Sequence, residues 1–263
     1  LCGITLEEMQ EVFHEPIQEL AKKYKTDYDG MVEMLRKRYD GYHFSSEMTG
    51  VFNPFSLLNC FNKLEMRNYW FATGTPTYLM RLLSHSDKNI NELVGKYYEE
   101  SQFIDYKADV ERPLPMIYQS GYLTVKRFNP HSRSYLLDFP NDEVCSGFID
   151  MLASDYFKPS RIEAKTWVID VNEDLLSGNV EVFMRKMTSL LSSVTYRFQR
   201  KQDAFECERY FQYTFYLIMQ MIGHYNTMVE KETSEGRIDC VVECPNYVYV
   251  MEFKMDGSAQ SAL

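Results

Sequence analysis

The sequence holds no apolar run of the length a membrane-spanning helix needs, about 20 residues. It opens on no stretch with the basic, apolar and small-residue regions of a secretory signal, and on no initiating Met. Nowhere does Gly-x-x-x-x-Gly-Lys-Ser/Thr occur, so the phosphate-cradling loop of a nucleotide hydrolase is missing and ATP hydrolysis by this stretch is not expected. Basic charge is scarce. The 28 Lys and Arg stand against 38 Asp and Glu, a net charge of −10, which argues against a generic nucleic-acid coat. An acidic site that binds metal stays compatible with that balance. The six Cys include no C-x-x-C pair, and Cys240 and Cys244 have neither a second pair nor a His nearby, which argues against a zinc site. Free buried thiols of a cytoplasmic protein are the expectation.

What is present suits a globular chain. At 263 residues it can hold one large domain or two to three small ones, and its 45% hydrophobic and 25% charged residues are ordinary. The most informative stretch runs from Gly236 to Lys254. Val, Ile and Tyr fill two runs joined by Cys244-Pro245-Asn246, the pattern of two strands and a turn. Three charges interrupt it: Asp239, Glu252 and Lys254. Side chains alternate along a strand, so Glu252 and Lys254 share one face and Phe253 takes the other. A hairpin folded about its turn brings Asp239 opposite the end of the second strand. Two carboxylates at close range can hold a hard cation such as Mg²⁺, and a Lys beside it can stabilise negative charge on a phosphate. The same spacing also fits a hairpin with a surface Glu–Lys pair and an unrelated Asp.

Gly236-Arg237-Ile238-Asp239, a short gap and Tyr247-Val248-Tyr249-Val250-Met251-Glu252-Phe253-Lys254 resemble the core of the PD-(D/E)XK nuclease superfamily. The likeness is greatest to the nuclease-like domain that follows a predicted AAA-ATPase domain in many bacterial proteins. Asp239 matches the motif Asp and Glu252-Phe253-Lys254 the (D/E)XK element; Ile238 stands where the motif has Pro. The resemblance implies Asp239, Glu252 and Lys254 as catalytic residues. It implies Mg²⁺ or Mn²⁺ as the metal, held by Asp239 and Glu252. Glu208-Arg209-Tyr210-Phe211-Gln212-Tyr213 resembles the first core helix of the family, whose Glu often lies against the metal, which adds Glu208 to the site. Glu206 and Glu208 also suit the first turn of a helix, where negative charge favours the dipole; the resemblance assigns that role to Glu206.

The N-terminal third reads as helical. Thr5-Leu6-Glu7-Glu8 is a cap with acidic residues behind it, and Met9, Val12, Phe13, Ile17 and Leu20 follow at helical spacing. A second helix is expected from Tyr28 to Arg38, closed by Gly41. Asn53-Pro54 starts a third, with Phe55, Leu58 and Phe61 on its core face. Thr75-Pro76 starts another. Arg38-Tyr39-Asp40-Gly41-Tyr42, Val51-Phe52-Asn53-Pro54-Phe55-Ser56 and Asn68-Tyr69-Trp70-Phe71 resemble the end of the same AAA-ATPase-like domain, beyond its nucleotide-binding core. The middle gives a short helix ended by Gly121, a hairpin about Asn129-Pro130-His131-Ser132 and a helix capped by Asn141. That order is compatible with a winged-helix-like module, whose acidic last helix favours packing over DNA contact. Helices over 169–198, broken near Ser177-Gly178, and over Phe205–His224 precede the final strands.

The expected fold class is mixed, α+β with α/β: a helical, lid-like region over 1–85, a winged-helix-like connector over 86–160, and a truncated PD-(D/E)XK α/β core over 161–263. The chain is expected to be a fragment of a longer polypeptide and, because the core is cut short, poorly active alone. The implied function is a metal-dependent phosphodiesterase acting on nucleic acid, DNA favoured over RNA, coupled to an upstream ATPase-like domain. The alternative is a nuclease-like fold without chemistry, serving as a binding or assembly module.

Overall fold

The computed structural model describes residues 3–43, 48–71, 78–79, 82–83, 89–104, 112–157, 163–198, 204–223, 228–230 and 240–251. Asp239, Glu252 and Lys254 lie outside these residues. The chain divides into two units, Leu1–Phe148 and Ile149–Leu263.

The first unit begins with α1 (Leu6–Val12), α2 (His14–Tyr24), α3 (Tyr28–Tyr39) and α4 (Pro54–Lys63). The Thr5 hydroxyl accepts from the Glu8 amide and the Glu8 carboxylate accepts from the Thr5 amide, a closed capping box. One continuous helix was the expectation from Met9 to Leu20; the chain instead leaves helical geometry at Phe13, with φ −113° and ψ 29°. Pro16 explains the break. A proline cannot donate to the carbonyl four residues back, and its ring collides with that carbonyl, here of Val12. Val12 accordingly turns outward and is 67% exposed, while Met9, Ile17 and Leu20 are fully buried.

Asn53 caps α4 and Pro54 opens it. Its inner face is Ser56, Leu57, Cys60 and Phe61, whereas Phe55 and Leu58 are 46% and 45% exposed. The expected stripe of Phe55, Leu58 and Phe61 is therefore rotated by about one residue. Phe61 belongs to both stripes, and two small side chains, Ser56 and Cys60, complete the true one. With α1 to α3 this face closes a core around Met31, Leu35, Tyr39 and Phe52.

The rest of the unit holds β1 (Lys96–Glu99), α5 (Ser101–Ile104), α6 (Leu114–Gln119), β2 (Thr124–Asn129), β3 (Ser134–Asp138) and the start of α7 (Asp142–Phe157). The strands form an antiparallel sheet in the order β1-β3-β2. The β2–β3 hairpin matches the expectation; β1, Lys-Tyr-Tyr-Glu, does not, because a charge at each end hides its strand pattern. The register slips between Val125 and Arg127, so Lys126 is the extra residue of a bulge. Its ammonium donates to the Pro140 carbonyl at 2.6 Å.

The second unit carries α8 (Ala164–Leu176), α9 (Val180–Phe198), α10 (Ala204–Gly223), β4 (Met228–Glu230), β5 (Cys240–Glu243) and β6 (Val248–Met251). The three strands form an antiparallel sheet in sequence order. Helix α10 is buried on several sides, with Leu217, Ile218, Met219 and Ile222 all at 0% exposure, as its all-round apolar pattern foretold.

Candidate functional site

The β5–β6 hairpin is built from its turn outward. Pro245-Asn246 form the loop, closed by Cys244 and Tyr247, which each donate an amide to the other's carbonyl at 2.8 and 3.3 Å. The rungs then run Glu243↔Val248, Val242↔Tyr249, Val241↔Val250 and Cys240↔Met251. Alternation gives the hairpin two unlike faces. Val242, opposite Tyr249, is fully buried; Val248 and Val250, on the other face of β6, are 63% and 62% exposed. Among the described residues β6 pairs on one side, with β5.

Its inner face meets the corner between α8 and α9. Helix α8 ends in a Schellman motif: Asn179 N–H donates to the Asp174 carbonyl at 2.8 Å and Gly178 N–H to the Leu175 carbonyl at 3.2 Å. Gly178 sits at φ +78°, a left-handed conformation that glycine adopts without strain. It also leaves room. A methyl group built there would lie 2.7 Å from Cζ of Tyr247. The Tyr247 and Tyr249 rings stack at 6.0 Å, and the Tyr249 hydroxyl donates to the Leu175 carbonyl at 2.6 Å. Across the same pair of helices, the Lys186 ammonium bridges Asp170 and Asp174 at 2.6 Å each. The hydrogen bonds it donates to those carboxylates hold its pKa above the ordinary lysine value.

Each expected site residue has a definite place in the chain. Asp239 precedes Cys240 and Glu252 follows Met251, so the two are the next residues beyond the last described rung. Lys254 comes two residues later. Glu208 belongs to α10, where the backbone is described and its side chain is not. Among the described residues no group of three or more His, Cys, Asp or Glu is placed to hold a metal ion. No helix among them is long and apolar enough to cross a membrane.

A different carboxylate, not expected from the sequence, is the most deeply buried among the described residues. Glu143, in the first turn of α7, has no exposure at all. Its Oε1 accepts from the Trp70 amide at 2.9 Å, while Oε2 has no hydrogen-bond partner. Burial pushes its carboxyl above the ordinary range, against the pull of the Ser56 hydroxyl, the Trp70 amide and the Arg38 charge. Arg38 in turn donates to the Asn68 side-chain carbonyl, and Asn68 donates to Ser146 at 3.0 Å. The three phrases that begin at Arg38, Val51 and Asn68 thus converge on one acid. Spacing gave no sign of it, because Glu143 meets Trp70 across 73 positions of chain.

Comparison with known families finds a likeness over the end of the chain, the hairpin included. Residues 206–262 match the PD-(D/E)XK nuclease superfamily. The matching segment takes in nearly all of α10 and the whole sheet β4-β5-β6. A protein described as an uncharacterized protein in the vnfD 5′ region, from Azotobacter chroococcum mcd 1, is 29% identical over 259 residues, covering 97% of this chain and 47% of that protein. The chain therefore spans about half the length of the curated relative it matches. No solved structure matches it.

Proposed function

We propose that the second unit is a metal-dependent phosphodiesterase module acting on nucleic acid. Asp239 and Glu252 hold one Mg²⁺ or Mn²⁺, Lys254 stands beside it, and Glu208 borders the site from α10. The observation that carries the reading is the last described rung, Cys240↔Met251, inside the segment that matches a nuclease superfamily. The next residue of each strand is a carboxylate. The donor set suits the metal: two carboxylates are hard oxygen ligands, and Mg²⁺ keeps waters in its remaining positions.

A bound divalent cation supplies the charge that polarises a phosphate oxygen and eases ionisation of a water. The Lys254 ammonium balances negative charge developing on the phosphate. Glu208 accepts a hydrogen bond from a water at the site. The division proposed for the chain is a nuclease-like part over 161–263 within the second unit, a winged-helix-like connector over 86–160 and a helical part over 1–85. In the whole protein the module is coupled to an upstream AAA-ATPase-like domain in the cytoplasm and acts on DNA in preference to RNA.

Calorimetric titration of Mn²⁺ into the wild type and Asp239→Asn tests the metal assignment. Binding in the wild type and none in the variant is expected; equal binding in both removes Asp239. A second reading, a binding module without chemistry, is favoured by the net charge of −10. Cleavage of single- and double-stranded DNA and RNA in Mg²⁺ separates the two. Metal binding with no cutting, in this chain and in a version extended at its C-terminus, selects the second.

A further inference from the structure

We infer that the β2–β3 hairpin of the first unit holds a nucleic-acid strand, with phosphates against Arg127 and Arg133 and a base against Tyr97. The class of partner rests on the nucleic-acid reading above; the surface itself involves neither Asp239, Glu252 nor a metal. Charge carries the first part. The chain has 38 Asp and Glu, yet from Arg112 to Leu137 it has none, its longest stretch without an acid. That stretch takes in β2, the turn and all of β3 but Asp138, and it supplies Lys126, Arg127, His131 and Arg133. Lys126 is turned to the Pro140 carbonyl. Arg127 and Arg133 are exposed, and among the described residues neither has an ion-pair partner. Helix α7, which follows, opens on Asp142 and Glu143, so the basic surface is the hairpin and not the helix.

Register carries the second part. Residues paired directly across strands share a face of the sheet. Arg127 pairs with Leu136 and Leu136 with Tyr97, so the three form one row across β2, β3 and β1. The other face holds the core contacts: Tyr135, next along β3, stacks on Phe128 at 4.8 Å and meets Phe103 edge-on. The Arg127 row is therefore the outward one, and Tyr97 is 44% exposed. Its arginine and tyrosine stand about 10 Å apart, two strand spacings, with Leu136 between them. A cation for a phosphate beside a ring for a base holds a single strand without reading its sequence. Glu99, an acid on the same face, lies on β1, at the opposite edge of the three strands from Arg127. The turn that carries Arg133 is held in one shape. The Asn129 side chain accepts from the His131 and Ser132 amides at 3.0 and 3.4 Å, and the Ser132 and Ser134 hydroxyls share a hydrogen bond at 2.6 Å.

The test is equilibrium binding of a fluorescent single-stranded DNA and of its duplex to the full chain, read by anisotropy in EDTA so that nothing is cut. Arg127→Gln and Arg133→Gln should each weaken binding of both. Each should lower the slope of log affinity against log salt by about 1, and the double variant by about 2. Tyr97→Leu should weaken single-strand binding about fivefold or more at unchanged slope, and duplex binding less. Lys22→Gln, which removes an exposed charge from α2, should change neither affinity nor slope. All four positions are exposed, so the melting temperatures should stay close to that of the wild type. Wild-type affinity and slope in the double arginine variant, or cutting by the wild type with no binding in EDTA, would overturn the surface and leave the nuclease reading standing. A wild type that neither binds these strands nor cuts them in Mg²⁺ would remove the nucleic-acid reading, and this inference with it. Tighter binding to phosphatidylserine vesicles than to DNA, lost in the same variants, would overturn it in favour of a lipid contact.

Discussion

Two carboxylate regions of this chain are built on opposite plans. Glu143 is sunk at zero exposure among Trp70, Ser56 and Arg38, with one oxygen satisfied and the other not. The hairpin that leads to Asp239 and Glu252 keeps one face open, with Val248 at 63% and Val250 at 62% exposure. The first arrangement can hold a fold in register, because moving any of its partners strands a buried polar group. It offers a substrate no way in. The second keeps the outer face of its strand in solvent, as the proposed metal site would need for the waters a hard cation retains. A buried acid with a raised pKa is therefore not by itself the acid that does chemistry.

The largest effect should come from Glu143. Replacing it by Ala removes the acceptor of the Trp70 amide and opens a cavity, at a cost of about 3 kcal/mol. Chemical denaturation should show the loss as a lower midpoint with the slope unchanged. A change under about 0.5 kcal/mol would mean that the node is dispensable, and the contrast with the hairpin would collapse.

Next comes the α8–α9 corner. Gly178→Ala forces a left-handed conformation on alanine and drives its methyl into the Tyr247 ring. The conformational part alone costs about 1–2 kcal/mol. Gly95, at φ +71° with nothing within 4 Å of a built methyl, is the matched control, since its alanine variant meets the strain without the clash. A larger drop in melting temperature at Gly178 than at Gly95 measures the ring contact. Equal drops would show that Tyr247 yields freely.

A smaller effect should appear as a trend with pH. Burial raises the Glu143 carboxyl in the folded protein. A raised carboxyl binds its proton more tightly folded than unfolded, so stability is greatest at low pH. It is lost as pH climbs from the unfolded value through the folded one. Glu143→Gln removes that titration. Measured by denaturation between pH 4 and 7, the variant should gain on the wild type as pH rises. The opposite trend would show that Arg38 keeps the carboxylate ionised and that the site is a buried charge pair.

Much of this was legible in the sequence, and most of the illegible parts share a cause. The β5–β6 hairpin, the break at Gly178 and the all-round apolar helix α10 follow from local patterns: a Pro-Asn turn between Val and Tyr runs, a glycine after a helix, and apolar residues on every face. The likeness of the last stretch to a nuclease superfamily was legible too, because the residues that carry it are close together in the chain. The hydrogen bond from Tyr249 was not, since its partner Leu175 is 74 positions away. Glu143 passed for an ordinary helix-opening acid for the same reason. Two misses are local instead: the charges at the ends of β1 hid its strand pattern, and Pro16 was passed over although its effect falls on Val12.

The misplaced face of α4 yields the smallest effect and the sharpest reading of the first unit. Periodicity alone admits two stripes through Phe61, one with Leu58 and one with Leu57. The fold chooses Leu57, at 0% exposure, and leaves Phe55 and Leu58 nearly half exposed. Phe55→Ser and Leu58→Gln should each stay within about 0.5 kcal/mol of the wild type. The two surface changes are three apart on one helix face, so they are best made singly and then together. Additive, near-zero costs by thermal denaturation would confirm an open face. A cost above about 1.5 kcal/mol for either one would mean that the outward face of α4 is covered in solution, in which case the open face of the hairpin would no longer set the two regions apart.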